Sequence, residues 1–222
     1  MSEGSAGQRT FVLATHNQHK VAEFEAMLGS APGLPAGAAA GSAHGGIHIV
    51  SYDGPEPIED GASFTENALI KARAAAAHTG LPALADDSGI CVDILGGAPG
   101  IFSARWAGAA RSDTDNVKLL LEQLSDVRDA DRGAHFTCSI AIVIPASEGT
   151  PALEAVVSGN WPGRIAREVR GENGFGYDPI FIPAGNIDSS AELPPAKKNA
   201  LSHRSRALKA LAELLASGKL GI

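Results

Sequence analysis

Residues Thr10 to Ala14 form an apolar run that stops at Thr15-His16-Asn17, and beyond it Val21, Phe24 and Leu28 recur at helical spacing. A short apolar run suits a buried strand and a 3.6-residue period suits one stripe of a helix, so the pattern predicts strand, turn, helix. The alternation continues along the chain. Ile47 to Ser51 reads as a second strand, and Ser63 to His78 as a helix of strong helix formers capped by Ser63 or Thr65. Ala83 to Ala85 is apolar, then Asp86-Asp87-Ser88-Gly89 intervenes before Ile90 to Leu95, which puts the two acids at a strand end or bend. Asp113 to Leu124 reads as an amphipathic helix, and Phe136 to Ile144 and Ala152 to Gly159 as paired strands. Ile180 to Ile182 adds a strand and Ser202 to Ala216 a terminal amphipathic helix. The mixture, with no internal repeat, predicts an α/β fold.

With 222 residues, 44% of them apolar, the chain is long enough to bury one substantial core or two lobes. It is expected to form a single domain over 1–222, with 1–9 and about 29–46 flexible. The stretch from Gly29 to Gly46 is dominated by Gly, Ala and Pro without periodicity and is read as a loop that carries no chemistry. A formal charge of -7 argues against a nucleic-acid partner, whose backbone needs clustered Lys and Arg, so any phosphate site must be a local gathering of donors. Cys91 and Cys138 both lie in apolar, strand-like segments and read as small buried side chains rather than a disulfide or a metal pair. No long apolar run and no secretory pattern are present, so a soluble cytoplasmic protein with no membrane partner is expected.

Four constellations could carry chemistry. Thr15-His16-Asn17-Gln18-His19-Lys20 stands where a strand gives way to a helix. Free N–H groups, the positive end of the helix dipole and Lys20 one turn in would together hold a polyphosphate. A capped helix with Lys20 in solvent fits the same letters, and the spacing is not that of a P-loop. The second group is acidic: Glu59 and Asp60, then Asp86 and Asp87. Carboxylates brought together suit Mg²⁺ and the activation of water, but Asp also shapes turns. Lys71, one helical turn beyond Asn67, either pairs inward with a carboxylate or phosphate, or stays solvated beside Glu66. In Asn173-Gly174-Phe175-Gly176-Tyr177-Asp178-Pro179, glycines flank an aromatic that either stacks on a base or fills a tight turn. Lys198 with Ser202-His203-Arg204 supplies donors for a purine carbonyl or phosphate, or simply a charged helix start.

In order and spacing these segments resemble the inosine triphosphate pyrophosphatase family, the non-standard purine triphosphate pyrophosphatases. The resemblance runs through Thr15-x-Asn17-x-x-Lys20, Ser63-Phe64-x-Glu66-Asn67-Ala68 and Ala85-Asp86-Asp87-Ser88-Gly89. It continues through Gly96-Gly97-Ala98-Pro99-Gly100-Ile101-x-Ser103-Ala104-Arg105, Gly174 to Pro179 and Ser202-His203-Arg204, and so covers nearly the whole chain. The Gly/Ala-rich insertion after Leu28 is longer than usual in that family, and Trp106 stands where Tyr is frequent.

The resemblance implies a curved mixed sheet in two lobes, a nucleotide in the cleft between them, a homodimer and a Mg²⁺ requirement. It also implies that Thr15 through Lys20, namely Thr15, His16, Asn17, Gln18, His19 and Lys20, cradle the triphosphate. Glu59 and Asp87 would hold the metal, with Asp87 as proton acceptor, Asp87 or Asp86 orienting water towards the α-phosphorus, and Ser88 touching substrate. Lys20 and Lys71 would offset the charge of departing pyrophosphate. Phe175, Gly176, Tyr177, Asp178, Lys198, His203 and Arg204 would surround base and sugar, with donors at His203 and Arg204 facing a 6-keto group. Two rivals remain: a sensor that holds a triphosphate without cleaving it, and a pyrimidine or general nucleotide pyrophosphatase of another fold.

Overall fold

The computed structural model describes residues 9–16, 21, 24, 25, 28 and 47–220. Strands β1 (Arg9–Leu13), β2 (Ile47–Ser51), β3 (Ala83–Val92), β4 (Gly133–Ile144), β5 (Leu153–Ile165) and β6 (Phe181–Pro183) form one sheet in the order β2-β1-β3-β4-β5-β6. β1 is parallel to β2 and to β3, whereas β5 and β6 are antiparallel, so the sheet is mixed. Helices α1 (Phe64–Thr79), α2 (Asp113–Gln123), α3 (Pro195–Leu201) and α4 (His203–Ala216) complete the predicted α/β fold. The chain divides into two compact units, one of Met1–Asp87, Ser139–Val157 and Ala207–Ile222, the other of Ser88–Cys138 and Ser158–Arg206.

In the first unit Phe11, Val12 and Leu13 are all buried, as befits a strand covered on both faces. Val21, Phe24 and Leu28 are helical and buried, in agreement with their spacing. Ser63, rather than Thr65, caps α1: its Oγ accepts the Glu66 N–H at 3.2 Å, and Glu66 reaches back to the Ala62 N–H at 2.7 Å. Gly80, at φ 68, ends the helix with its N–H on the Ala76 carbonyl. The buried face of α1 is Ala68, Ala72, Ala75 and Ala76, packed with Val12, Ala83, Ala85, Ala141 and Val143. Alanine loses no side-chain entropy and lets backbone approach backbone, so whatever flanks this face is held close to the sheet.

In the second unit Ile90, Val92, Val117, Leu120, Trp161 and Phe181 belong to one core. Phe181 meets Phe136 and Trp161 edge-on there, with centroids 4.7 Å and 5.2 Å apart. Arg132, 2% exposed, donates to the carbonyls of Leu124, Ile165 and Ala166 at 2.6–2.9 Å, tying the end of α2 to the end of β5. Burial and neighbouring Arg167 lower its pKa.

The expected break at Asp86-Asp87-Ser88-Gly89 is absent. β3 runs unbroken through all four residues, so the acids stand in mid-strand rather than at an end or bend. Polar letters inside a strand resemble a turn only while their partners are unknown. β4 and β5 extend beyond their predicted ends, Ile180 closes a 3-10 turn before β6, and the short helix α3 is additional. Cys91 and Cys138 are both buried and form no disulfide. Among the described residues no helix is long and apolar enough to cross a membrane. Of the stretches 1–9 and about 29–46, read as flexible from sequence, residues 1–8 and 29–46 lie outside the described residues, whereas Arg9 opens β1.

Candidate active site

The parallel register of β1 and β3 pairs Leu13 with Leu84, and beyond it the chain turns, the Thr15 N–H donating to the Leu13 carbonyl at 2.7 Å. Thr15, His16, Tyr52, Glu59 and Lys71 line one depression. His16 stacks on Tyr52 at 6.3 Å, and its Nδ1 is 3.2 Å from Glu56. The phosphate candidates Thr15 and His16 therefore share a surface with Glu59 and Lys71. Asn17, Gln18, His19 and Lys20 lie outside the described residues.

Side chains alternate along a strand, so Asp87 shares the face of Ala83 and Ala85, the face against which α1 packs. That packing aims two α1 residues at it. The Asn67 side-chain amide donates to Asp87 Oδ2 at 3.1 Å, and Lys71 Nζ lies 3.6 Å from Asp87 Oδ1. The same Nζ is 3.5 Å from Glu59 Oε1, so two carboxylates converge on one cationic position. Asn67 is fixed in turn, its Oδ1 accepting the Gly61 N–H at 3.0 Å. The Lys71 and Asp87 side chains are each 16% exposed. Burial pushes the Asp87 carboxyl up, Lys71 and Asn67 oppose this, and the charges of Glu59 and Asp86 add to it. The net shift is upward. Asp86 is buried and projects to the opposite face, and Ser88 follows on that face in mid-strand.

The second unit carries another cluster. Asp178 is buried, and its Oδ2 accepts the Phe175 N–H at 2.9 Å and Lys198 Nζ at 2.5 Å, while Ser190 Oγ donates to its Oδ1 at 2.8 Å. Lys198 also lies over the Phe175 ring, 5.0 Å from its centroid, and that ring is 66% exposed. Gly174, at φ 82, has no room for a side chain, because a Cβ would strike the Asp178 carboxylate. Tyr177 is buried and its hydroxyl donates to the Ser103 carbonyl at 2.8 Å, which makes it a packing residue. His203 stacks on Phe136 at 4.8 Å and opens α4 with Arg204, while Ser202 Oγ accepts the Ser205 N–H.

The Ham1 family model matches residues 11–214. The chain belongs to the Ham1 family. A relative from Leifsonia xyli named dITP/XTP pyrophosphatase is 57% identical over 204 residues, covering 92% of this chain and 94% of its own. A protein of the same name from Streptomyces avermitilis is 49% identical over 201 residues, covering 90% and 94%. Among solved structures, a HAM1 protein from Coxiella burnetii superposes with a TM-score of 0.81 at 41% identity, covering 95% of this chain and all of that one. A nucleoside-triphosphatase / dITP/XTP pyrophosphatase from Mycobacterium abscessus gives 0.72 at 46% identity, covering 91% and 98%.

Within this Ham1 chain, sequence reasoning gave Asn67 no role beyond its place in a motif, yet it directly orients Asp87. The available signal was helical spacing, since Asn67 and Lys71 are one turn apart. Ser190, which grips Asp178 from a separate segment, carries no local signal at all.

Proposed function

We propose that this chain hydrolyses non-standard purine nucleoside triphosphates, those of inosine, deoxyinosine and xanthosine, to the monophosphate and pyrophosphate, removing them from the nucleotide pool. The observation that carries the reading is Asp87: a partly buried carboxyl with a raised pKa, oriented by Asn67 and Lys71 and facing Glu59. A carboxyl whose pKa has moved towards neutrality is better matched to accept a proton from water. The names of the relatives, dITP/XTP pyrophosphatase, supply the substrate class.

Asp87 takes a proton from the attacking water as its oxygen bonds to the α-phosphorus; the α–β phosphoanhydride bond breaks and pyrophosphate departs with the electron pair. Asp86, on the other face of the strand, acts on Asp87 through its charge. Lys71, with Lys20 and the backbone at Thr15 to His19, offsets the charge of the leaving group. Ser88 touches substrate.

Glu59 and Asp87 fit a divalent cation, because both present hard oxygens to one position already favourable to the Lys71 ammonium. Mg²⁺ bound there would supply positive charge to the phosphate oxygens.

On the base side, Phe175 stacks, Gly176 allows close approach, and Lys198 and Asp178 hold the loop with Tyr177 behind it. Donors from His203 and Arg204 accept a 6-keto purine, whereas adenine's amino group would leave a donor unsatisfied. A single domain, a homodimer and a cytoplasmic location complete the proposal, the homodimer resting on the family resemblance.

The test is a panel of inosine, xanthosine, guanosine, adenosine and thymidine triphosphates incubated with Mg²⁺ while pyrophosphate and phosphate are measured separately. Pyrophosphate released preferentially from inosine and xanthosine triphosphates is expected. Binding without release would make the chain a sensor, and equal turnover of thymidine triphosphate would make it a general pyrophosphatase.

A further inference from the structure

The Phe175 ring is 66% exposed, so little side-chain packing decides where it points. Its direction must come from the backbone, yet Gly174 and Gly176 on either side adopt φ 82 and φ 58, in a region where glycine turns freely. Two carboxylates restrain this segment. One is Asp178, within the loop, which accepts the Phe175 N–H. The other is Asp113, whose Oδ2 accepts the very next amide, Gly176 N–H, at 2.8 Å from 63 residues away.

We infer that Asp113 is a positioning residue for recognition of the purine base, its carboxylate fixing the Phe175-Gly176 backbone to the first turn of α2. The inference rests on the proposal that this loop holds the base. α2 is a rigid support. Ser112 caps it, Val117 and Leu120 are buried in the core, and Asn116 is buried with its side chain bonded to the Ala107 N–H and the Ala104 carbonyl. Arg132 then secures the Leu124 carbonyl at the other end. A tether is useful only when its anchor does not move. Asp113 is not required merely to complement the helix dipole, because Asp115 already places a carboxylate in the same turn. A negative charge beside Tyr177 also helps to push the pKa of that phenol up, which agrees with Asp113 facing the loop.

The test compares Asp113→Ala with Asp113→Asn, since Asn keeps an oxygen that can accept the Gly176 N–H but loses the charge. Inosine monophosphate probes the base side, and pyrophosphate, which has no base, serves as the control ligand. Asp113→Ala should raise KM for deoxyinosine triphosphate and weaken inhibition by inosine monophosphate about five-fold, the worth of one hydrogen bond of roughly 1 kcal/mol. Turnover and pyrophosphate inhibition should stay near wild type, and Asp113→Asn should restore most of the loss. Unchanged monophosphate affinity in Asp113→Ala overturns the inference. So does an equal loss in Asp113→Asn, which would make charge the cause, or an equal loss of pyrophosphate affinity, which would make it general damage. A wild-type chain that binds inosine monophosphate but releases no pyrophosphate refutes the hydrolase and leaves the monophosphate affinities to decide on Asp113. A wild type that does not bind inosine monophosphate overturns the inference about Asp113, while pyrophosphate release still decides on the hydrolase.

Discussion

Asp87 combines two demands that pull against each other. It must be buried enough to have a raised proton affinity, and supported enough to ionise, and Asn67 and Lys71 provide that support from a single helix. Asp87→Asn keeps the shape and removes the proton acceptor, so turnover should fall by about 10²–10⁴-fold with KM changed only a few-fold. Pyrophosphate release read against nucleotide concentration separates the two, and undiminished turnover would remove Asp87 from the chemistry. Tyr177 makes a second case at this scale. Burial, with the charge of Asp113, raises its pKa above the ordinary 10.0. A group whose folded pKa exceeds its unfolded one contributes stability that is complete below the unfolded pKa and is lost as pH rises through the folded one. Urea unfolding should therefore show wild type losing stability above about pH 10 more steeply than Tyr177→Phe. At neutral pH the variant should be weaker by about 1 kcal/mol for the hydrogen bond to Ser103. Parallel losses above pH 10 would show that another group titrates.

At the scale of elements, α1 is both a packing unit and the carrier of the groups that grip Asp87. Its alanine face sets its distance from β3. Ala72→Leu should overpack that face, costing about 1–3 kcal/mol, and should lower turnover as well, because the displaced helix carries Asn67 and Lys71. Denaturant midpoint and turnover measured on one preparation check this, and a stability loss with undisturbed turnover would show that Asn67 and Lys71 follow Asp87 independently of the helix. Much of this element was legible in advance: the cap, the length and the one-turn spacing of Asn67 and Lys71 are local properties. The acid pair was not. Asp86-Asp87-Ser88-Gly89 carries every letter of a turn, and only the helix packed on one face of β3 explains how a strand continues through it.

At the scale of the whole molecule, a ligand that binds only the folded state raises stability by mass action. Pyrophosphate with Mg²⁺, at 100 times its dissociation constant, should add about 2.7 kcal/mol to wild type. Glu59→Gln combined with Asp87→Asn should lose most of that gain while unfolding normally without ligand. Thermal unfolding with each component singly and together is the measurement, and an undiminished gain in the double variant would place the ion elsewhere. The sequence by itself determined the α/β class, the strand ending at Leu13, the helical period of Val21, Phe24 and Leu28 and the helices opening at Ser63 and Asp113, because periodicity and capping act over a few residues. It also carried the family, through motifs spread along nearly the whole chain. Tertiary structure alone decided that Lys71 turns to Glu59 and Asp87 rather than to Glu66, and that Asp113 reaches Gly176. The partner of a charge is chosen by what packing brings within a few ångströms, and that choice spans 16 residues for Lys71 and 63 for Asp113.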